Sequence, residues 1–596
     1  MSHYKSNLRD IEFNLFEVNK IQDYLGSDPW ADLDQDTAKD ILTEMERLAR
    51  EEYAVSYEDQ DRIPLKLVDG EVKIPDSVKA SVAAFLDGGW DRLGLPEEMG
   101  GMPAPAAVRW AGSEMLLAAN TTVQFYAGGA MFASVLFDEG TDEQKEFAKL
   151  WMDKGWGGTM VLTEPDAGSD FGAGTSKATQ QPDGTWHIEG VKRFITSGEH
   201  DITENIIHLV LARPEGAAPG TKGLSLFVVP KYLVNDDGSL GARNGVYATN
   251  IEKKMGLKGS TTCELTFGMD EPAIGYLVGE KHEGTRQMFK VIESARMMIG
   301  NKAMGTLSTG YLHALQYAQE RHQGADLMEA TDKTAPRVPI INHPNIRRML
   351  MEQKAYTEGL RALVMYTAWV QDQAVLHPED DWDRRNDLLL PLVKGYSSEK
   401  AYELLAQCLQ VFGGAGYTQD IPLEQYVRDA KIDTIYEGTT GIQALDLFFR
   451  KIARDQGSAL ASLAGEIVEF VKGGVDGDPL AAEREKLGHI LDDAQAQLGS
   501  VVEYLMASIS GDKEEIYKVG LQASAILESL AEVVIAWQLL RQAETAIDKV
   551  DEDPFYRGKV EAARWFLNDV APKVAARRET AAAEDGHLMD LPVEAF

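Results

Sequence analysis

The strongest constraint on the fold is a change of hydrophobic period near Gly157 that reverses near Glu283. Before the change, apolar residues recur at spacings of three and four in Ala38–Arg50, Val78–Leu86 and Ala106–Leu117, as expected for amphipathic helices. Between the two points the chain reads as short β runs, GGTMVLTE, TWHIEGVKRFITSG, NIIHLVLAR, GLSLFVVP and CELTFGM, rich in Val, Ile and Phe and broken by Gly, Pro and Asp. Helical period then returns and holds to about Asp455, apart from a charged, proline-containing stretch between Gly324 and Pro344 that reads as an exposed loop. After the break GGVDGDP, Leu480, Leu487, Leu491, Leu498 and Val502 form a helical stripe, as do Leu527, Leu530, Val534 and Trp537. A β domain between helical ones is therefore expected, with domains over 1–156, 157–282, 283–456 and 457–596. The fold class is mainly α with a central β domain and a further helical bundle at the end.

Charge and cysteine content narrow the function. Lysine and arginine number 59 against 95 aspartates and glutamates, giving a net charge of −36. Such a chain repels phosphate backbones and anionic membranes, so nucleic acid is not expected as a partner. An anionic cofactor must be held by local donors against that field. Cys263 and Cys408 are the only cysteines, which excludes a disulfide framework or a four-cysteine metal site and fits a cytoplasmic location. The histidines lack metal-site spacing, so no metal is expected. The polar, amphipathic amino terminus has no apolar signal core, and no uninterrupted run of about eighteen apolar residues occurs, so no membrane span is expected.

Phosphate loops of the GxxxxGK[ST] type and GxSxG elbows are missing, and GGAG at Gly413–Gly416 follows no strand. Two constellations remain. One is VLTEPDAGSD, Val161–Asp170, with KRFITSG, Lys192–Gly198, where glycines and small hydroxyl residues at strand ends let backbone approach a flat polar ring. Either piece alone reads more readily as an ordinary hairpin turn. The other is QVFGGAGYTQDIPLEQYVRDAKIDTIYEGTTGIQALDL, Gln410–Leu447. Its Glu437 stands at a glycine-flanked break between helical segments, where desolvation would raise its pKa towards that of a working base. By residue type alone Glu437 is one acidic side chain among 95 and reads as surface.

The two constellations together resemble the acyl-CoA dehydrogenase family, flavoenzymes of fatty-acid β-oxidation. GLPEEMGG, TEPDAGSD, VKRFITSG, MGLKGSTTCELTF, ESAR, YAQER, QVFGGAGY and VRDAKIDTIYEGT occur in family order, from roughly the first hundred residues to about Lys451. The resemblance implies an N-terminal helical domain, a middle β-barrel and a C-terminal four-helix bundle, with FAD as cofactor. It makes Glu437 the catalytic base that removes the α-proton of an acyl-CoA while the β-hydrogen leaves as hydride to the flavin. It places Thr163, Ser169, Phe194, Thr196 and Ser197 around the flavin ring and pyrophosphate, with Phe194 where many members carry tryptophan. Arg321 matches the arginine on the FAD pyrophosphate, and Thr439 a further cofactor position. Gln410, Gly413 and Gly414 match contacts to the adenine end, usually made to a neighbouring subunit's FAD. Ser169 and Arg296 fall on the substrate side.

Some relatives carry the base one residue before that arginine. Ala295 stands there and cannot abstract a proton, and Glu293, two residues off, lies roughly 200° around a helix. The family's R-x-x-F-G is replaced after Arg321 by His-Gln-Gly-Ala. The region from about Ser458 resembles the extra domain of long bacterial members, including those named 3-methylmercaptopropionyl-CoA dehydrogenases. The expectation is therefore an α,β-dehydrogenation of a medium or broad-chain fatty acyl-CoA, with electrons passed to an electron-transfer flavoprotein. Its alternatives are a 3-(methylthio)propanoyl-CoA substrate, net enoyl-CoA reduction, or an acyl-CoA oxidase. An added helical domain covering one interface of the family tetramer favours a homodimer.

Overall fold

The computed structural model describes residues 2–475 and 477–596. They form two compact units. The first contains the segment ending at Tyr4, Ser27–Pro105 and Met115–Ala295; the second contains Lys5–Gly26, Ala106–Glu114 and Arg296–Phe596.

The first unit begins with helices α1 (Gln35–Leu48) and α2 (Asp76–Asp87), followed by α3 (Ala106–Tyr126), which enters it at Met115. Helices α4 (Gly129–Glu139) and α5 (Asp142–Asp153) lead to the sheet. Helix α1 starts where Asp34 accepts a hydrogen bond from the Thr37 N–H at 2.8 Å and buries Ala38, Leu42, Met45 and Leu48 on one face. Helix α5 is opened by a reciprocal cap between Thr141 and Gln144.

The eight strands of the large sheet follow: β1 (Gly157–Val161), β2 (Lys177–Gln180), β3 (Trp186–Thr196), β4 (Ile206–Pro214), β5 (Ser225–Pro230), β6 (Val246–Ile251), β7 (Thr262–Phe267) and β8 (Ala273–Leu277). Strand β3 pairs with β2 and β8, β8 with β5, β5 with β4, and β4 with β2, so five strands close into a barrel. Strand β1 lies parallel to β4, and β7 and β6 extend the sheet from β3. The pleat sorts alternate residues of β4 into two cores: Leu209 and Leu211 pack with Trp151, Trp156, Leu226 and Val228, while Val210 and Ala212 pack with Trp186, Ile188, Phe227 and Val229. Burial on both faces is why β4 reads as a nearly continuous apolar run rather than an alternating one.

The second unit is helical. Helix α6 (Gly284–Glu320) runs into it, followed by α7 (Pro344–Leu376), α8 (Trp382–Pro391), α9 (Ser397–Phe412), α10 (Leu423–Ala430) and α11 (Thr440–Asp446). Between α8 and α9, Leu392–Tyr396 forms a buried π-helical turn. Pro391 ends α8 and contributes no N–H to the helical ladder, a local reason for the shift in bonding register. The last part comprises α12 (Ser458–Lys472), α13 (Ala481–Ser510), α14 (Glu515–Ala546) and α15 (Pro554–Ala582); α13, α14 and α15 pack on one another, and α14 and α15 also pack on α7. The segment Glu515–Lys549 is long and apolar enough to cross a membrane, but 72% of its most apolar stretch is buried, which makes it a core helix.

Residues 5–26 belong to this second unit rather than to the helices that follow them in sequence. Asp10 is wholly buried and bonded to both Arg361 of α7 and Lys559 of α15. Burial alone would raise its carboxyl, but the Lys559 and Arg361 charges hold it at about 2. Arg361 also grips Glu114 with its Nη2 at 2.5 Å and Ser308 at 2.7 Å.

Candidate active site

Glu437 lies between the 3₁₀ turn Lys431–Thr434 and α11, in a left-handed conformation with φ of 56°, followed by Gly438 at φ 91°. A non-glycine residue at positive φ is strained and persists only where its surroundings hold it. They do so here. The Gln443 Nε2 donates to the Glu437 carbonyl at 2.9 Å, and the Lys394 Nζ donates to the Gly438 carbonyl at 2.5 Å. Thr439 caps α11, its Oγ1 accepting from the Ile442 N–H at 3.4 Å, and the Thr440 hydroxyl donates to Glu399 at 2.6 Å. On the preceding side, Tyr436 donates to Asp433 at 2.8 Å, and Asp433 pairs with Lys302 at 2.6 Å.

The half-buried Glu437 carboxyl is pushed up to about 7 because loss of solvent outweighs the opposing charges of Lys394 and Arg296. Such a carboxyl is partly ionised at neutral pH and basic enough to take up a proton. Arg296 is buried, its Nη1 donating to Asp446 at 2.7 Å, while Arg450 reaches the other Asp446 oxygen at 3.3 Å. Among the described residues its Nε finds no acceptor. Ala295 is buried and inert beside it.

The ring-binding candidates of the first unit cluster at the end of β3. The Arg193 N–H donates to the Thr163 carbonyl at 2.9 Å, which brings Thr163 beside the Phe194–Ser197 loop. Phe194 has φ of 60° and leaves 55% of its surface exposed, and Ser197 has φ of 57°. The loop is pinned from behind: the Ser197 N–H donates to the Thr261 carbonyl at 2.8 Å, the Thr261 N–H to the Tyr126 hydroxyl at 2.9 Å, and that hydroxyl to the Gly259 carbonyl at 2.8 Å. Thr196 is half-buried, and Ser169 stands on an exposed loop whose base is fixed by Glu164. Glu164 accepts from Lys192 at 3.0 Å and from the Thr175 N–H at 2.6 Å. Burial would raise its carboxyl, but Lys192 and the Ser176 and Thr175 bonds hold it at about 2.

In the second unit, Tyr317 of α6 stacks on Phe412 of α9 at 4.2 Å, placing the end of α6 beside the glycine turn. Arg321 is exposed there, as are Gln410, Gly413 and Gly414. Gly413 has φ of 58° and ψ of −141°, and a side chain at Gly413 or Gly414 would meet nothing within 4 Å. An exposed guanidinium fits a pyrophosphate, and bare backbone at Gly413 and Gly414 allows close approach of a ligand. A strained aromatic in solvent, with hydroxyls at its side, fits the edge and face of a flavin. Each of these two sets of residues, taken by itself, fits a part of FAD.

Comparison with known proteins decides the family. Residues 159–269 match the acyl-CoA dehydrogenase middle domain, 282–450 the acyl-CoA dehydrogenase C-terminal domain, and 463–592 the model described as acetyl-CoA dehydrogenase C-terminal like. A broad-specificity linear acyl-CoA dehydrogenase, FadE5 of Mycobacterium tuberculosis, is 54% identical over 100% of both chains. The chain belongs to the acyl-CoA dehydrogenase family. It is an oxidoreductase acting on CH–CH donors. The 3-methylmercaptopropionyl-CoA dehydrogenase of Ruegeria pomeroyi is 35% identical over 96% of this chain and 97% of its own. The fold also matches an acyl-CoA dehydrogenase of Bacillus anthracis complexed with FAD, at TM-score 0.72 and 22% identity over 93% and 90% of the two chains. Caenorhabditis elegans ACDH-11 in complex with C11-CoA matches at TM-score 0.69 and 19% identity, over 94% and 89%.

Sequence reasoning passed over Lys394, Asp433, Gln443 and Tyr126, which hold the two loops. Lys394 carried one signal: a lone charge in the apolar run LLLPLVKGY, where a solvated lysine is out of place.

Proposed function

We propose that the protein dehydrogenates linear fatty acyl-CoA thioesters of broad chain length to trans-2-enoyl-CoA, with Glu437 as the base. The observation that carries this reading is the clamped, left-handed Glu437 with its carboxyl raised to about 7. An α-proton of a thioester is weakly acidic, so its removal needs a base of raised pKa and a donor for the enolate oxygen. Among the described residues no acceptor is bonded to the Glu437 N–H, which leaves that donor available at the same turn. Arg296 lends positive charge from α6 while anchored by Asp446. Bound FAD supplies the acceptor for the β-hydrogen, and Thr163, Ser169, Phe194, Thr196 and Ser197 would hold its flavin end, Arg321 its pyrophosphate. Gln410, Gly413 and Gly414 would meet the adenine end of a neighbouring subunit's FAD, and Thr439 would combine a cofactor contact with its capping bond. The full-length likeness to the Mycobacterium tuberculosis enzyme supports a broad linear substrate range.

The same reading includes electron delivery to an electron-transfer flavoprotein, a homodimeric assembly and a cytoplasmic location. A panel of acyl-CoA thioesters from short to long chain, with 3-(methylthio)propanoyl-CoA included, tests the substrate reading under nitrogen. Bleaching of the flavin by linear chains over several lengths supports it; bleaching by the methylthio substrate alone refutes it. Rapid re-oxidation by air with peroxide release would mark an oxidase instead. Light scattering that gives a tetramer would remove the homodimer.

A further inference from the structure

Lys394 is wholly buried, yet among the residues described its ammonium makes one hydrogen bond, to the carbonyl of Gly438, the residue after Glu437. Burying an ammonium costs several kcal/mol unless charge or hydrogen bonds compensate it; burial pushes Lys394 down to about 8, so its neighbours compensate it in part and keep it charged at neutral pH. Four charged groups face it: Asp433, Glu437, Arg296 and Glu399. Asp433 already pairs with Lys302 and accepts from Tyr436, and Glu399 accepts from Thr440. Arg296 is positive and is held by Asp446. Asp433 is the nearest balance for Lys394, its Oδ2 buried without a hydrogen-bond partner among the described residues, and Glu437, which faces Lys394 and Arg296, is the second negative group.

The geometry stops short of a direct ion pair, for no contact within 4 Å joins the Lys394 ammonium to the Glu437 carboxylate. That distance suits a base. A salt bridge in contact would hold the carboxylate too acidic to take up a proton, whereas a charge one peptide away moderates it. The local chain explains the placement. The π turn after Pro391 turns Lys394 inward, and Gly395 lets it sit close, since a side chain there would meet Leu527 at 3.1 Å and Gln443 at 3.3 Å. Gln443 in turn holds the Glu437 carbonyl, so the clamp and the turn share one contact surface.

We propose that Lys394 is the positioning residue of the catalytic turn, its ammonium holding the Gly438 carbonyl so that Glu437 stays left-handed and supplying, with Arg296, positive charge to the Glu437 carboxylate. The proposal rests on Glu437 being the base. It predicts a displaced acidic limb in the pH profile of kcat/KM. Without the ammonium the ionised carboxyl is less favoured, so its pKa rises.

The experiment compares Lys394→Met, Lys394→Gln and Lys394→Arg in the FAD-loaded full-length enzyme, with flavin absorbance and Tm confirming assembly. For Met and Gln the limb moves up by about one pH unit or more. The loss in kcat/KM is then about fivefold at pH 7 and recovers above about pH 9. Lys394→Arg, which keeps the charge, leaves the limb near its parent position. Equal loss at every pH with the limb unmoved overturns the proposal, since it leaves Lys394 a packing role alone. If Lys394→Met does not fold, Lys394→Gln decides by the same shift. Glu437→Gln separates the two levels: its retention of turnover removes the base itself, whereas an inactive Glu437→Gln beside an unmoved limb removes only the role of Lys394.

Discussion

The pH dependence of proton abstraction follows from one residue. With its carboxyl at about 7 rather than the usual 4.5, Glu437 is about 9% ionised at pH 6, half ionised at pH 7 and about 91% ionised at pH 8. For a reaction that needs the carboxylate, kcat/KM should climb about tenfold between pH 6 and pH 8 and then level. An α-deuterated substrate confirms that abstraction is being read. A flat profile from pH 5.5 to 8.5 with a full isotope effect would refute the assignment, because an ordinary carboxylate is ionised throughout that range. Stability gives an independent reading. The folded-state value lies above the unfolded one, so the contribution is intact below about 4.5 and lost as pH rises through about 7. The gap corresponds to about 3 kcal/mol at about 1.36 kcal/mol per pH unit, and partial exposure reduces it to about 1–3 kcal/mol. Glu437→Gln should therefore melt higher than the parent at pH 8, with the difference closing below about pH 4.5, and should bind FAD with most turnover gone. An equal melting difference at pH 4 and pH 8 would show that titration is not its source.

Arg361→Met strands Glu114 in the interior and leaves Asp10 with Lys559 alone, and should destabilise the second unit by about 3–5 kcal/mol, read by urea denaturation; a change below about 1 kcal/mol would show that the network is dispensable. Tyr126→Phe removes the hydroxyl shared by Thr261 and Gly259, at a cost of about 1–3 kcal/mol. FAD should then dissociate more readily, and unchanged FAD affinity would mean that the Ser197 loop holds its shape alone. Gly413→Ala meets no atom, so its penalty of about 1–3 kcal/mol is backbone strain only and should appear as a lower Tm with weakened FAD binding; parent-like values of both would refute the strain argument.

The switch of period at Gly157 and back at Glu283 made the helix–strand–helix order legible, because a strand and a helix bury different spacings of the same residues. Glu437 was legible through the Tyr-Glu-Gly-Thr segment, and Phe194 through KRFITSG. What escaped was everything that reaches these loops from a distance. Lys394 precedes Glu437 by more than forty positions, and Tyr126 precedes Ser197 by about seventy. No spacing rule links such pairs.

The sequence by itself determined the family and the order of helices and strands, and singled out the carboxylate proposed to react, since motif order and local period are properties of the chain read in line. The tertiary structure decided what suits that carboxylate to the proposed role of base: its left-handed turn, the Lys394 and Gln443 clamps, and the balance of burial against two positive charges. It also decided that residues 5–26 join the C-terminal helices through Asp10. The reason is physical. Desolvation and charge act through space, and a pKa belongs to the groups that folding gathers around a side chain rather than to its neighbours along the chain.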